Sequence, residues 1–84
     1  MILIFGKEYC PYCKNSRKII EETKKEHMYF PLEKQDNMDT VNELRKYKLI
    51  PEHHNTVPIV ISYIKRVPKF IGGNDDLELY LNNK

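Results

Sequence analysis

The chain opens on a continuous apolar run, "MILIF", followed by Gly6. A run without alternation suits a strand buried on both faces, and predicts β-structure from Ile2 to Phe5. From Pro11 to about Lys25 good helix formers take over, with proline in the first turn, where its missing N–H costs nothing. Cys13, Ile19, Ile20 and Thr23 give this helix a thin apolar stripe. "MYFPL" reads as a second strand, and Pro31 within it points to a sheet edge or a strand end. "DNMDTVNELRKYKL" places Met38, Val41, Leu44 and Tyr47 or Lys48 at helical spacing, with Asp36 and Asn37 as candidate caps. "IPEHHN" is loop. "TVPIVISY" and "VPKFI" are strands close enough to pair as a hairpin, expected to protrude or to be irregular, with Tyr63 to Arg66 near its tip. "GGNDDLELYL" ends the pattern with a glycine turn and a short helix carrying Leu77, Tyr80 and Leu81, which Asn74 can cap.

The order is therefore strand, helix, strand, helix, strand, strand, helix. The first strand–helix–strand crossover requires parallel strands and the final hairpin antiparallel ones. An α/β domain with a four-stranded mixed sheet flanked by three helices is expected, as one unit over residues 1–84. The aromatic and apolar residues Met38, Tyr29, Tyr47, Tyr63 and Tyr80 are assigned to packing.

Charge narrows the partners. Lysine and arginine number 14 against 12 acidic residues, a net charge of +2. The charges are interspersed, so no polybasic arm for nucleic acid or an anionic membrane is visible. Small molecules and other proteins remain. The apolar N-terminus is too short for a signal-peptide core and lacks a basic lead, and no segment approaches the roughly 18 apolar residues of a membrane span. A monomer in the cytoplasm is the expectation.

The only cysteines, Cys10 and Cys13, fall in "EYCPYCKNS". A bridge between them closes too small a loop to restrict the unfolded chain much, so they are read as reactive rather than stapling. Three apart at a helix start, they share a face with Cβ atoms roughly 5 to 6 Å apart, within reach of reversible disulfide formation. Cys10 at the helix N-terminus gains from unpaired N–H groups and the macrodipole, which favour a thiolate. It is the expected nucleophile, and the more enclosed Cys13 the resolving thiol. Pro11 fixes the first turn, and Tyr12 projects outward, where its ring can meet a substrate. Zinc would need further ligands from His27, His53 and His54, whose spacing does not suit it, so no metal site is assigned. His53 and His54 are read as solvated loop residues.

"CPYC" after a strand, "TVP" before another and "GGNDD" before the last helix together resemble the glutaredoxins, a small thioredoxin-fold family, over nearly the whole chain. The resemblance implies a glutathione-dependent thiol–disulfide oxidoreductase. Its substrates are glutathionylated or disulfide-containing proteins, with glutathione as co-substrate and no bound cofactor. It also implies a glutathione site. Lys7 would pair with the glycine-end carboxylate, helped by Arg45. Thr56 and Val57 would precede a cis Pro58, with the Val57 backbone pairing with the cysteinyl part. Gly73 and the N–H groups of Asn74 and Asp75 would take the γ-glutamyl carboxylate, and Asp76 its ammonium. Asn55 stands where relatives often carry a basic residue, and the hairpin is longer than is typical. The rival readings are a thioredoxin-like reductant fed by a flavoprotein reductase, a [2Fe-2S] carrier or sensor, which Pro11 disfavours by resemblance, and a non-catalytic adaptor, which the intact cysteine pair disfavours.

Overall fold

A computed structural model describes residues 1–82. Strands β1 (Ile2–Gly6), β2 (His27–Pro31), β3 (Ile59–Ile64) and β4 (Val67–Gly72) form one sheet in the order β2-β1-β3-β4. Helices α1 (Pro11–Thr23), α2 (Gln35–Lys46) and α3 (Asn74–Asn82) complete the expected three-helix architecture. β1 pairs in parallel with β2 and antiparallel with β3, and β3 pairs antiparallel with β4. Pro31 closes β2, which is an edge strand, so its missing N–H breaks no interior ladder.

The alternation along β1 sorts the core into two layers. Ile2 and Ile4 join Ile20, Val60, Leu77 and Leu81 on the face covered by α1 and α3. Phe5 turns the other way, to Leu32, Val41, Ile50, Ile59 and Ile61 beneath α2, with Leu3 and Phe30 packed against them. Phe5 and Phe30, register partners on β1 and β2, stack with ring centroids 4.9 Å apart. Gly6 follows Ile4 by two and faces α1. A Cβ there would stand 2.8 Å from Cys13 Sγ, so only glycine lets α1 settle onto the strand end.

The registers also gather the chemistry at one end of the sheet. β1 ends at Gly6, where Phe5 faces Ile59 at the start of β3, and β4 closes at Gly72 opposite Val60. The start of α1, the approach to β3 and the start of α3 therefore meet at that end.

Several local expectations change. α2 starts at Gln35, before both candidate caps: Asp36 lies in its first turn, and Asn37 Nδ2 instead donates to the Pro31 carbonyl at 2.8 Å. Asn74 does not cap α3 with its side chain. Its Oδ1 accepts from Asn15 Nδ2 (2.9 Å) and from the buried Ser16 Oγ (2.8 Å), which ties α3 to α1. The helix start is closed by Asp76, whose Oδ2 accepts from the Gly73 N–H at 3.0 Å. The hairpin turns on Lys65 and Arg66, both left-handed (φ 52° and 66°), as a two-residue turn between twisted strands requires. Its irregularity is a bulge between Val60 and Ile61, and its tip runs past the end of β1. Tyr29 and Met38 pack as expected, but Tyr47, Tyr63 and Tyr80 are exposed.

Gly6→Ala places a methyl group on Cys13 Sγ and Cβ, which α1 must yield to. A loss of about 1–3 kcal/mol is expected for the reduced protein by urea unfolding, the range for overpacking a close contact. An unchanged unfolding midpoint would mean that α1 does not rest on Gly6.

Candidate active site

Cys10 occupies the N-cap position of α1 with extended backbone (φ −94°, ψ 118°), and Pro11 takes the first helical position. Its N–H donates to the Lys7 carbonyl at 3.3 Å, and its own carbonyl accepts from the Lys14 N–H at 3.1 Å. The turn thus hands the chain from strand to helix with Cys10 half-buried at the rim. Its thiol approaches the Val57 carbonyl at 3.9 Å. Cys13, one turn on, is wholly buried over Gly6, and the Lys7 N–H donates to its sulfur at 3.4 Å.

These surroundings separate the two thiols. Burial alone would raise the pKa of Cys10. Hydrogen bonds from the Cys13 thiol and from the N–H groups of Cys13 and Tyr12, with the Lys7 charge, outweigh it and bring the value below that of an ordinary thiol. Cys13 is pushed up to about 11, first by burial, then by giving its hydrogen bond to Cys10 and by the negative charges of Cys10 and Glu33. One thiol is set to be an anion and the other to be its donor.

Beside them lies a cleft of about 390 Å³ lined by Tyr12, His54, Thr56, Val57, Gly73, Asn74, Asp75 and Asp76. Of the expected site residues, the structure brings together Tyr12, Thr56, Val57, Gly73, Asn74, Asp75 and Asp76. Pro58 is buried behind them, and the Val57–Pro58 peptide is cis, as expected. The first-turn N–H groups of α3 have no carbonyl of their own helix to bond, and the residues that carry them, Asn74, Asp75 and Asp76, line this space. Lys7 and Arg45 do not line the cleft. The charge of Lys7 instead acts on Cys10 and Glu33. Arg45 Nη2 donates to the His54 carbonyl at 2.7 Å, holding the loop that leads to Thr56.

Three neighbours escaped the sequence reading. His53 is exposed, but His54 is half-buried: its ring meets Phe70 edge-on, with centroids 4.9 Å apart, and it forms part of the cleft wall. Glu33 accepts from the Glu8 N–H at 3.0 Å, and that bond, with the nearby Lys7 charge, lowers its pKa. Ser16 is buried on α1 and bound to Asn74. No local pattern marks any of the three, because each gains its partner from a distant segment. Among the described residues, no helix is long and apolar enough to cross a membrane.

Comparison with known proteins agrees with this geometry. The glutaredoxin family model matches residues 2–65. No curated protein sequence matches. Among solved structures, a dithiolic glutaredoxin from Trypanosoma brucei brucei is similar at 30% identity and a TM-score of 0.65, covering 99% of this chain and 79% of that one. The holo form of glutaredoxin C1 from Populus tremula x tremuloides is 26% identical, with a TM-score of 0.68 and coverage of 98% and 75%. A buckwheat glutaredoxin–glutathione complex is 25% identical, with a TM-score of 0.70 and coverage of 99% and 70%.

The thiol asymmetry is open to titration. Alkylation of the reduced protein, read by mass spectrometry across pH, is expected to modify Cys10 with a midpoint below the free-thiol value of about 8.5. Cys13 should react only toward its value of about 11. Lys7→Gln should move the Cys10 midpoint upward, since the lysine charge favours the thiolate. Equal midpoints for the two thiols would remove the division of roles.

Proposed function

The chain belongs to the glutaredoxin family, and from that premise we propose that it is a glutathione-dependent oxidoreductase reducing protein–glutathione mixed disulfides and protein disulfides. Thiol–disulfide oxidoreductase chemistry follows from the family and the paired cysteines. The observation that carries the finer reading is the position of Cys10. It is the half-exposed thiol, it is biased toward the thiolate, and it abuts Val57 at the edge of the cleft that ends on α3.

In the monothiol route the Cys10 thiolate attacks the glutathione sulfur of a mixed disulfide. A Cys10–glutathione disulfide forms, and the protein thiolate leaves with the electron pair of the broken bond. A second glutathione thiolate attacks that adduct, leaving oxidised glutathione and free Cys10. In the dithiol route Cys10 attacks a protein disulfide, and Cys13 then attacks the Cys10 sulfur of the mixed intermediate and releases the second thiol. Two glutathiones restore the pair. In both routes the helix start stabilises the anion that begins the reaction and leaves at its end.

The cleft suits the tripeptide in charge and direction. The cysteinyl part lies along Val57, whose backbone pairs with it as an added strand would. The γ-glutamyl carboxylate meets the N–H groups of Asn74 and Asp75 at the start of α3. Asp76, already held by the Gly73 N–H, faces the ammonium. Lys7 lies outside the cleft, beside Cys10, and would offer its charge to the glycine end of a ligand that extends past the thiol, while Arg45 steadies the wall from behind through the His54 carbonyl. A neighbouring glutaredoxin has been solved as a complex with glutathione, which supports this choice of ligand.

Cys13→Ser is expected to keep substantial turnover of a glutathionylated peptide and to accumulate a Cys10–glutathione adduct when glutathione is scarce. Protein-disulfide reduction by that variant should fall by roughly tenfold or more, because the internal resolving thiol is gone. Near-complete loss of deglutathionylation with no trapped adduct would favour a thioredoxin-like mechanism. Lys7→Glu should weaken use of glutathione mixed disulfides more than attack on small neutral disulfides, and added salt should act in the same direction. Equal losses on both substrates would remove the electrostatic role of Lys7.

A further inference from the structure

One buried polar group near the thiols has no part in the scheme above. Tyr29, on β2 beside Ile4, turns its ring to the α1 face. Among the described residues its hydroxyl is buried without a hydrogen-bond partner. It is placed over the same strand end as the resolving thiol: the position of the absent Gly6 Cβ lies 3.1 Å from Tyr29 Oη and 2.8 Å from Cys13 Sγ. The Arg17 guanidinium covers the ring 4.2 Å from its centroid. A buried hydroxyl with no partner is costly to keep, unless a partner arises at some stage of the cycle.

The resolving step creates one. Cys13 attacks the Cys10 sulfur; the Cys13–Cys10 bond forms as the bond from Cys10 to the substrate sulfur breaks. The electron pair departs on the substrate sulfur, which takes up the proton that Cys13 loses. Negative charge passes through Cys13 Sγ in a pocket closed to water, where, among the described residues, only the Lys7 N–H is already aimed at it. We propose that the Tyr29 hydroxyl donates a hydrogen bond to Cys13 Sγ during this attack and so speeds resolution of the mixed disulfide. The inference rests on the reading of Cys13 as resolving thiol. Tyr29 keeps its own proton throughout. Burial, and then the charge of Cys13, raise its pKa, with Glu33 and Cys10 adding to this and Arg17 opposing it, so the phenol stays a donor.

The test uses reduced protein mixed with oxidised glutathione, quenched with acid at intervals and weighed by mass spectrometry. Adduct formation at Cys10 and its conversion to the Cys10–Cys13 disulfide are then separate phases. Tyr29→Phe should form the adduct at the wild-type rate and resolve it about tenfold more slowly, the effect of one hydrogen bond to a charged atom. Replacing Tyr29 by 3-fluorotyrosine, which keeps the shape and strengthens the donor, should resolve at least as fast as wild type. Wild-type protein that never forms the internal disulfide would overturn the resolving role of Cys13 itself. Normal wild-type resolution matched by Tyr29→Phe would overturn the Tyr29 proposal alone, as would equal slowing of both phases. If the phenylalanine variant does not fold, the fluorotyrosine protein decides: resolution at least as fast as wild type supports the proposal and slower resolution overturns it.

Discussion

The contact between Cys13 and the bare backbone of Gly6 sets the geometry of the whole site. Because side chains alternate along β1, position 6 faces α1, as Ile2 and Ile4 do. With no side chain there, the first turn of α1 drops onto the strand, and Cys13 is sealed between them. Cys10, three residues earlier, is thereby left at the rim, where the helix N-terminus and the Cys13 thiol both favour its anion. The difference between the two thiols thus follows from packing, and no charged residue has to be buried to create it.

The parts of the fold readable from sequence are those in which one local pattern suffices. "MILIF" is a run without alternation and lies at the centre of the sheet, "TVPIVISY" supplies its other central strand, and Pro31 marks both an end of β2 and an edge of the sheet. The parts that were not readable are those in which a local preference gave way to a distant partner. Asp36 and Asn37 are good cap residues, but α2 begins earlier, and Asn37 is drawn back to the Pro31 carbonyl. Asn74 is likewise a natural cap that is spent on Ser16 and Asn15, fifty-odd residues away. The hairpin turn has neither glycine nor asparagine at its two left-handed positions, so the usual signature of such a turn is missing.

The candidate site divides in the same way. "CPYC", "TVP" and "GGNDD" each carry their chemistry in adjacent residues, and seven of the expected site residues line one cleft. His54 could not be placed from its surroundings in the chain, "PEHHN". Its ring packs on Phe70 from β4 and its backbone carbonyl is held by Arg45 from α2, contacts that the loop's own residues do not announce. Assigning Arg45 to the ligand directly had the same weakness: a cation at the right position on a helix can reach a carboxylate or a loop carbonyl equally well, and only the fold distinguishes them.

The two walls of the cleft are held by separate devices on opposite faces of the sheet. On one face the Asn74 carbonyl oxygen locks the start of α3 to α1, so the N–H groups meant for a carboxylate are fixed relative to Cys10. On the other, α2 reaches through Arg45 to the loop before β3, while buried Ile50 anchors that loop in the core beneath α2. Neither device contacts the reacting sulfur. Each sets the position of backbone groups, and backbone groups make up most of the polar surface proposed to hold the tripeptide. A ligand recognised this way meets donors that need not be reorganised on binding, which is the condition under which modest hydrogen bonds give useful affinity. The thiol chemistry is then centred on the first turn of α1 over Gly6, with Lys7 and Glu33 beside it, and can be tuned there without disturbing the walls.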